Sequence, residues 1–163
     1  MNVETNKDCP ICRGAAFDPE MDRIAVWEDA LWRLTVSLAA EVPGFDYLEP
    51  KRHVPHITDL DGAEAASFGP ALARCTRTLR EVTGADVVYV YIFGDGIPHL
   101  HVHLAPHRKG DALNDQMIRG EIVEEKLPSG ATSFFSKEFP ALAREQLLAV
   151  AERVGQRLKD KAG

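Results

Sequence analysis

Residues 98–106 read Pro-His-Leu-His-Val-His-Leu-Ala-Pro, which places His99, His101 and His103 at alternate positions of an apolar run bracketed by Pro98 and Pro106. Side chains alternate faces along a strand, so this spacing predicts an extended segment with three imidazoles on one surface and Leu100, Val102 and Leu104 on the other. The chain has 6 histidines, and three of them crowded here mark that face as chemical, because imidazole serves as ligand, base and nucleophile. Neighbouring same-face positions lie roughly 6–7 Å apart, so the first and third rings stand about 13 Å from each other. The three cannot share one ion.

The bulk properties narrow the class of protein. A chain of 163 residues predicts one domain with one core. It is 45% hydrophobic and 27% charged, the mix of a soluble globular protein. A formal charge of −6 argues against a nucleic-acid polymer as partner, since backbone binding needs a concentrated cationic surface, but leaves room for a small phosphorylated ligand. No apolar stretch approaches a membrane span, and the opening MNVETNKDCP lacks a basic head before an apolar segment, so no membrane partner and a cytoplasmic location are expected. Three cysteines, two of them three apart, suit metal ligation better than a disulfide framework.

Periodicity predicts an irregular segment over residues 1–22, then strands over Ile24–Glu28 and Leu31–Leu38 joined as a hairpin across Asp29 and Ala30. Pro43 and Gly44 mark a turn before a short strand from Phe45 to Glu49, and residues 51–58 read as loop. Asp59 or Asp61 is a cap for a helix carrying Leu72, Cys75, Thr76 and Leu79, which Pro70 should start or kink and Gly84 should end. Asp86–Phe93 is the strongest strand signal, and its turn leads to the histidine strand as an antiparallel neighbour. Residues 107–116 read as a charged loop and 117–136 are undecided. A last helix from about Pro140 carries Ala143, Leu147, Val150, Ala151, Val154 and Leu158 on one face. The order implies an α+β fold with a mainly antiparallel five-stranded sheet, one central helix and one C-terminal helix.

Two constellations carry chemistry. Cys9-Pro-Ile-Cys12 has the spacing of a zinc knuckle, whose turn lets both thiolates face one ion. Zinc wants four ligands, and histidines near strand ends are the credible donors of the other two, with His53 and His56 both in reach. A pair of structural or redox thiols is the competing reading. Cys75, on a helical face, reads as a core cysteine. For the triple histidine, two of the three rings could hold a metal with a distant third ligand, or one imidazole could attack phosphorus while its neighbours orient it and steady the charge.

HLHVHLA follows the His-φ-His-φ-His-φ-φ signature, φ being apolar, and CPIC, VWED, PKRH followed by an Asp-Leu pair, and the strand pair ending in PHLHVHLAP keep a familiar order. In these motifs, from Cys9 to Pro106, the chain resembles the histidine triad (HIT) superfamily, in its zinc-bearing bacterial-type branch. The resemblance implies a HIT-like domain over 1–163, with residues 1–22 as a zinc knuckle, 23–110 as the core, and 111–163 as a loop plus the last helix. It implies a homodimer whose sheets join, and hydrolysis or transfer of a nucleotidyl group through a nucleotidyl-histidine intermediate. Carried over by position, His101 is the nucleophile, His103 contacts the phosphate oxygens and leaving group, and Cys9, Cys12, His53 and His99 hold a structural Zn²⁺. His56 would be an exposed bystander.

The departures from that pattern concern the substrate. Counted back from Pro50, Ser37 stands where the resemblance implies a ribose-binding Asp, and Phe45 where it implies a further active-site His. Asp95 and Gly96 stand where phosphate-holding Gln and Ser or Thr are usual. A carboxylate beside a phosphate repels it unless turned away, protonated or bridged by a cation, whereas Gly96 can offer a backbone N–H at close approach. Ser37 binds a ribose hydroxyl more weakly than a carboxylate would. His107, Arg108 and Lys109 bring positive charge to the strand end, available to distal phosphates. The expected function is therefore a nucleotidyl hydrolase or transferase acting on a nucleoside phosphoester, phosphoanhydride or phosphoramidate, bound at Ser37, Asp95, Gly96 and His103. The alternative is a non-catalytic nucleotide-binding module that keeps the structural zinc.

Overall fold

The computed structural model describes residues 5–94, 96–110, 121–137 and 139–160. Two 3-10 turns, Ile11–Ala16 and Asp18–Met21, lead into β1 (Arg23–Glu28), β2 (Trp32–Ser37) and β3 (Asp46–Pro50). Helix α1 (Gly62–Thr83) then carries the chain to β4 (Val87–Tyr91) and β5 (Val102–His107). A hairpin of β6 (Glu121–Lys126) and β7 (Thr132–Lys137) precedes the last helix, α2 (Arg144–Asp160). The first five strands make one antiparallel sheet in the order β1-β2-β3-β5-β4, and β6 and β7 pair only with each other. The expected α+β fold with its five-stranded antiparallel sheet is present, with an additional hairpin in the stretch the sequence leaves undecided.

Local chemistry explains the boundaries. Asp29 closes the β1–β2 hairpin: its Oδ1 accepts the backbone N–H groups of Leu31 (2.8 Å) and Trp32 (2.7 Å). Asp61 occupies the N-cap position of α1, but its carboxylate accepts from Arg52 Nη2 (2.5 Å) and makes no side-chain cap bond. Pro70 lies inside the 22-residue helix α1 and does not start it. Gly84 stops the helix in the left-handed region at φ 69°.

One sheet face and both helices share the main core: Trp32, Leu34, Leu48, Val102 and Leu104 pack with Cys75 and Leu79 of α1 and with Val150, Val154 and Leu158 of α2. Contact between α2 and β1 is tight enough that a Cβ on Gly155 would come within 2.9 Å of the Val26 carbonyl oxygen. Gly155→Ala is therefore expected to destabilise the protein by about 1–3 kcal/mol, overpacking outweighing the roughly 1 kcal/mol gain in helix propensity. An unchanged or raised midpoint in urea unfolding would contradict that account.

The opposite sheet face departs from simple amphipathic alternation. All six residues of β2 are buried, Arg33, Thr35 and Ser37 included, because the N-terminal 3-10 turns lie over β1 and supply Asp18 to Arg33. The histidine strand is also shorter at its start than the spacing predicts: the ladder begins at Val102, His99 lies in a bend with its N–H on the Ile97 carbonyl at 2.8 Å, and Leu100 N–H bonds the Val54 carbonyl at 2.6 Å. It continues to His107, one residue into the stretch expected as loop.

Asp46 is a buried anomaly beside this core. It pairs with Val36 and Leu104 in the sheet, is wholly inaccessible, and neither carboxyl oxygen has a hydrogen-bond partner among the described residues. Burial pushes its carboxyl well above the usual carboxylate range, and burial chiefly, with Asp46 second, pushes the Cys75 thiol up to about 12. An acid whose folded value is raised keeps a proton that the unfolded chain releases. The stability it contributes is present at low pH and is lost as pH rises from about 4 toward the folded value, at up to about 1.4 kcal/mol per pH unit. Asp46→Asn is expected to gain stability relative to wild type between pH 5 and pH 8; an equal difference at both values in chemical denaturation would refute this.

Candidate metal centre and histidine site

Two thiols and two imidazoles from distant parts of the chain converge where the N-terminal turn meets the approach to β5. The ligand atoms of Cys9, Cys12, His53 and His99 all lie within 4.8 Å of one another. His99 Nδ1 is 3.4 Å from Cys9 Sγ and 3.4 Å from Cys12 Sγ, and His53 Nδ1 is 3.3 Å from Cys12 Sγ. A tetrahedral ion at ordinary zinc–sulfur and zinc–nitrogen distances would hold sulfur and nitrogen about 3.6 Å apart, so the cluster fits a metal ion.

The tautomer of His99 follows from its other nitrogen. Nε2 is 2.9 Å from the Pro50 carbonyl, which only accepts, so Nε2 carries the proton and Nδ1 presents its lone pair to the thiols. Burial pushes the His99 imidazole down to about 4, which keeps it a neutral ligand at physiological pH. Without a metal, burial pushes the Cys12 thiol up to about 11. His99 is thus almost completely buried and does not share an imidazole-lined wet face with His101 and His103.

Those two rings remain together, with centroids 5.1 Å apart and both half-buried. His101 Nδ1 lies 2.6 Å from the His99 carbonyl, so this nitrogen is the donor and Nε2 keeps its lone pair. His99 therefore faces two ways, its ring toward the thiols and its backbone oxygen toward His101. His103 is ringed by aromatics: Tyr47 and Phe93 at 5.2 Å, Tyr91 at 5.8 Å and Phe45 at 6.0 Å between centroids. Register explains the ring, since Tyr47 and Tyr91 are the cross-strand partners of His103 on either side.

Next to the aromatics on the same sheet face is a buried ionic cluster the motifs do not announce. Arg23 donates to Asp18 (2.9 Å) and Glu49 (2.5 Å), and Arg33 donates to Asp18. Burial pushes the Glu49 carboxyl up to about 7, and the Arg23 guanidinium holds it from going higher. Its sequence trace was a charged residue inside the apolar run Tyr-Leu-Glu-Pro, opposite Arg33 in register.

The other residues singled out from the sequence divide by position. Ser37 is buried at the end of β2, and its hydroxyl oxygen accepts the Ala39 N–H at 3.2 Å. Gly96 adopts φ 79° in the turn before the histidines. Asp95 lies outside the described residues. His56 is exposed beside Gly94, with Nδ1 3.8 Å from where a Cβ there would be. His107 stacks on Tyr89 at 5.0 Å, and Arg108 donates to the Thr83 carbonyl, both at the end of β5 away from His101.

A five-stranded antiparallel sheet backed by helices, with paired imidazoles on its other face and a Cys₂His₂ cluster at its margin, defines an α+β protein built around histidine chemistry. Residues 18–110 match the family model described as HIT domain, and the chain belongs to that family. It is 30% identical over 98 residues to a bis(5'-adenosyl)-triphosphatase of Dictyostelium discoideum, a match that spans 57% of this chain and 66% of that protein. It is 26% identical over 147 residues, 86% of this chain and 97% of the other, to an uncharacterized HIT-like protein of Mycobacterium tuberculosis. The fold superimposes with a TM-score of 0.63 on a Zn-bound histidine triad family protein from Mycobacterium smegmatis, at 20% identity and covering 96% and 98% of the two chains. No helix among the described residues is long and apolar enough to cross a membrane.

Proposed function

We propose that this protein is a nucleotidyl hydrolase or transferase that cleaves a nucleoside phosphoester, phosphoanhydride or phosphoramidate through a nucleotidyl-His101 intermediate. The observation that carries the reading is the 2.6 Å contact of His101 Nδ1 with the His99 carbonyl, which leaves Nε2 as an oriented lone pair. Nε2 attacks the α-phosphorus, a P–N bond forms, and the bond to the leaving group breaks with its electron pair leaving on that group. Water or another acceptor then attacks phosphorus, breaks the P–N bond and returns Nε2 to its starting state. His103 steadies the phosphate oxygens and leaving group, Gly96 offers its N–H, and Ser37 its hydroxyl proton to the ribose; Asp95, expected from the sequence at the phosphate, lies outside the described residues. The activity named for the Dictyostelium relative is of this class.

Cys9, Cys12, His53 and His99 would hold Zn²⁺, which supplies structural cross-linking there. The reading further takes residues 1–163 as one domain, acting as a cytoplasmic homodimer on a small nucleotide-type substrate. Rapid quench with a labelled dinucleoside polyphosphate or nucleoside phosphoramidate is expected to trap label on the protein. No label in wild type, together with unchanged turnover in His101→Ala, would overturn the reading. Phe45 against His103 and the engaged Ser37 hydroxyl favour one rival, a nucleotide-binding module without turnover. Micromolar binding of nucleoside monophosphates with no product across a broad substrate panel would establish that rival.

A further inference from the structure

Four aromatic rings surround His103, and one of them is unlike the rest. Tyr47 on β3 and Tyr91 on β4 flank the imidazole across the ladder, both half-buried, and the buried Phe45 packs against Tyr47 and His103. Phe93, just past the end of β4, is 54% exposed, more than any other large apolar side chain among the described residues. Its ring nevertheless lies 5.2 Å from His103 and 5.4 Å from Tyr91 between centroids. An aromatic surface open to water beside a half-buried imidazole marks a place where a ligand is taken up.

The charges nearby decide what kind of ligand suits these rings. Among the described residues, the arginines of the sheet and of its strand end are held elsewhere: Arg23 and Arg33 are buried against Asp18 and Glu49, and Arg108 reaches the Thr83 carbonyl. Cation–π contacts fall on Phe17 and Trp27, at other places in the fold. A polyphosphate leaving group brings several negative charges, which proteins hold with guanidinium forks or ammonium groups. The face of an aromatic ring carries the negative end of its quadrupole and offers such a group nothing, whereas it stacks on, or meets edge to face, another ring.

We propose that Tyr47, Tyr91 and Phe93 form the leaving-group subsite and select a leaving group that carries an aromatic ring, joined to phosphorus through oxygen or nitrogen, over a nucleoside polyphosphate. The inference rests on the nucleotidyl reading above and narrows its substrates to phosphoesters and phosphoramidates. When His101 Nε2 bonds to phosphorus, the bond from phosphorus to the leaving oxygen or nitrogen breaks and its electron pair stays on that atom. Water completes turnover: its hydroxyl goes to phosphorus as Nε2 is released, and its proton balances the leaving atom. The aromatic ring takes no part in these bonds. Its contact with Phe93 and the two tyrosines holds the leaving atom beside His103.

The test compares kcat/KM of the wild-type protein, loaded with its metal, for the adenosine 5'-phosphoramidates of 2-phenylethylamine and 2-cyclohexylethylamine and for diadenosine triphosphate. The phenylethyl compound is expected to exceed the cyclohexylethyl one, which is similar in size but not flat, by about 10-fold, and to exceed diadenosine triphosphate by at least as much. Phe93→Ala is expected to lower the phenylethyl-to-cyclohexylethyl ratio at least about threefold, and Phe93→Tyr to keep it. The exposure of Phe93 leaves the core untouched by either change. A wild-type ratio within about twofold of one, or a preference for diadenosine triphosphate, would overturn the proposal without any variant. A ratio that Phe93→Ala leaves unchanged would overturn it equally. Labelled adenylate trapped on His101 without aromatic preference refutes the inference and leaves the nucleotidyl reading standing; no label and no turnover of any of these compounds refutes both.

Discussion

His101→Ala is expected to lower turnover of the nucleotide substrate at least about a thousandfold while leaving the protein folded. The ring is half-buried and contributes to neither core cluster, so its removal costs little packing. What it removes is the lone pair at Nε2 that the His99 carbonyl orients through Nδ1. Single-turnover rates measured beside thermal unfolding separate the two effects. Turnover within tenfold of wild type would show that the reaction does not pass through this nitrogen. Loss of activity with an equal loss of fold would show that the ring is structural.

Removing the thiols of the proposed metal site should act mainly on the fold. Cys9→Ser combined with Cys12→Ser, or prolonged chelation of wild type, is expected to lower the unfolding midpoint by at least about 10 °C, since structural zinc contributes folding free energy directly. The Cys₂His₂ cluster joins the N-terminal turn to residues 53 and 99, and His99 in turn holds the Pro50 carbonyl of β3. Acid should act in the same direction. A histidine whose folded value is depressed contributes stability that is complete above its unfolded value near 6.5 and is lost as pH falls toward about 4. Thiol protonation works with it, because a metal binds the thiolate. Metal release followed with a chromophoric chelator should therefore rise as pH drops from 7 to 5. A midpoint unchanged by chelation, with the metal shown to be gone, would contradict the structural role.

Much of the fold was legible because its signals are local. The β1–β2 hairpin follows from alternation and from Asp29, whose side chain builds the turn within three residues. The stop of α1 at Gly84 and the buried stripe of α2 are similarly short-range. The start of β5 was not, because the ladder begins where β3 provides a partner, at the Leu48–Val102 pair, and the histidines before it are drawn away by Val54 and the cysteines. Nor was the burial of Arg33 and Glu49, since their counter-charges come from Asp18 and Arg23 through the packing of turn on sheet.

By itself, the sequence determined which residues are candidates for the chemistry: spacing in CPIC and alternation in HLHVHLA are properties of a few adjacent peptide units. Only the tertiary structure showed which of them meet in space. Cys9 meets His99 across 90 residues, and Glu49 meets Arg23 across 26, because sheet order and the covering N-terminal turns decide which distant side chains share a low-dielectric space. Inside that space an imidazole is held neutral against two thiols, and a pair of arginines is held against two carboxylates.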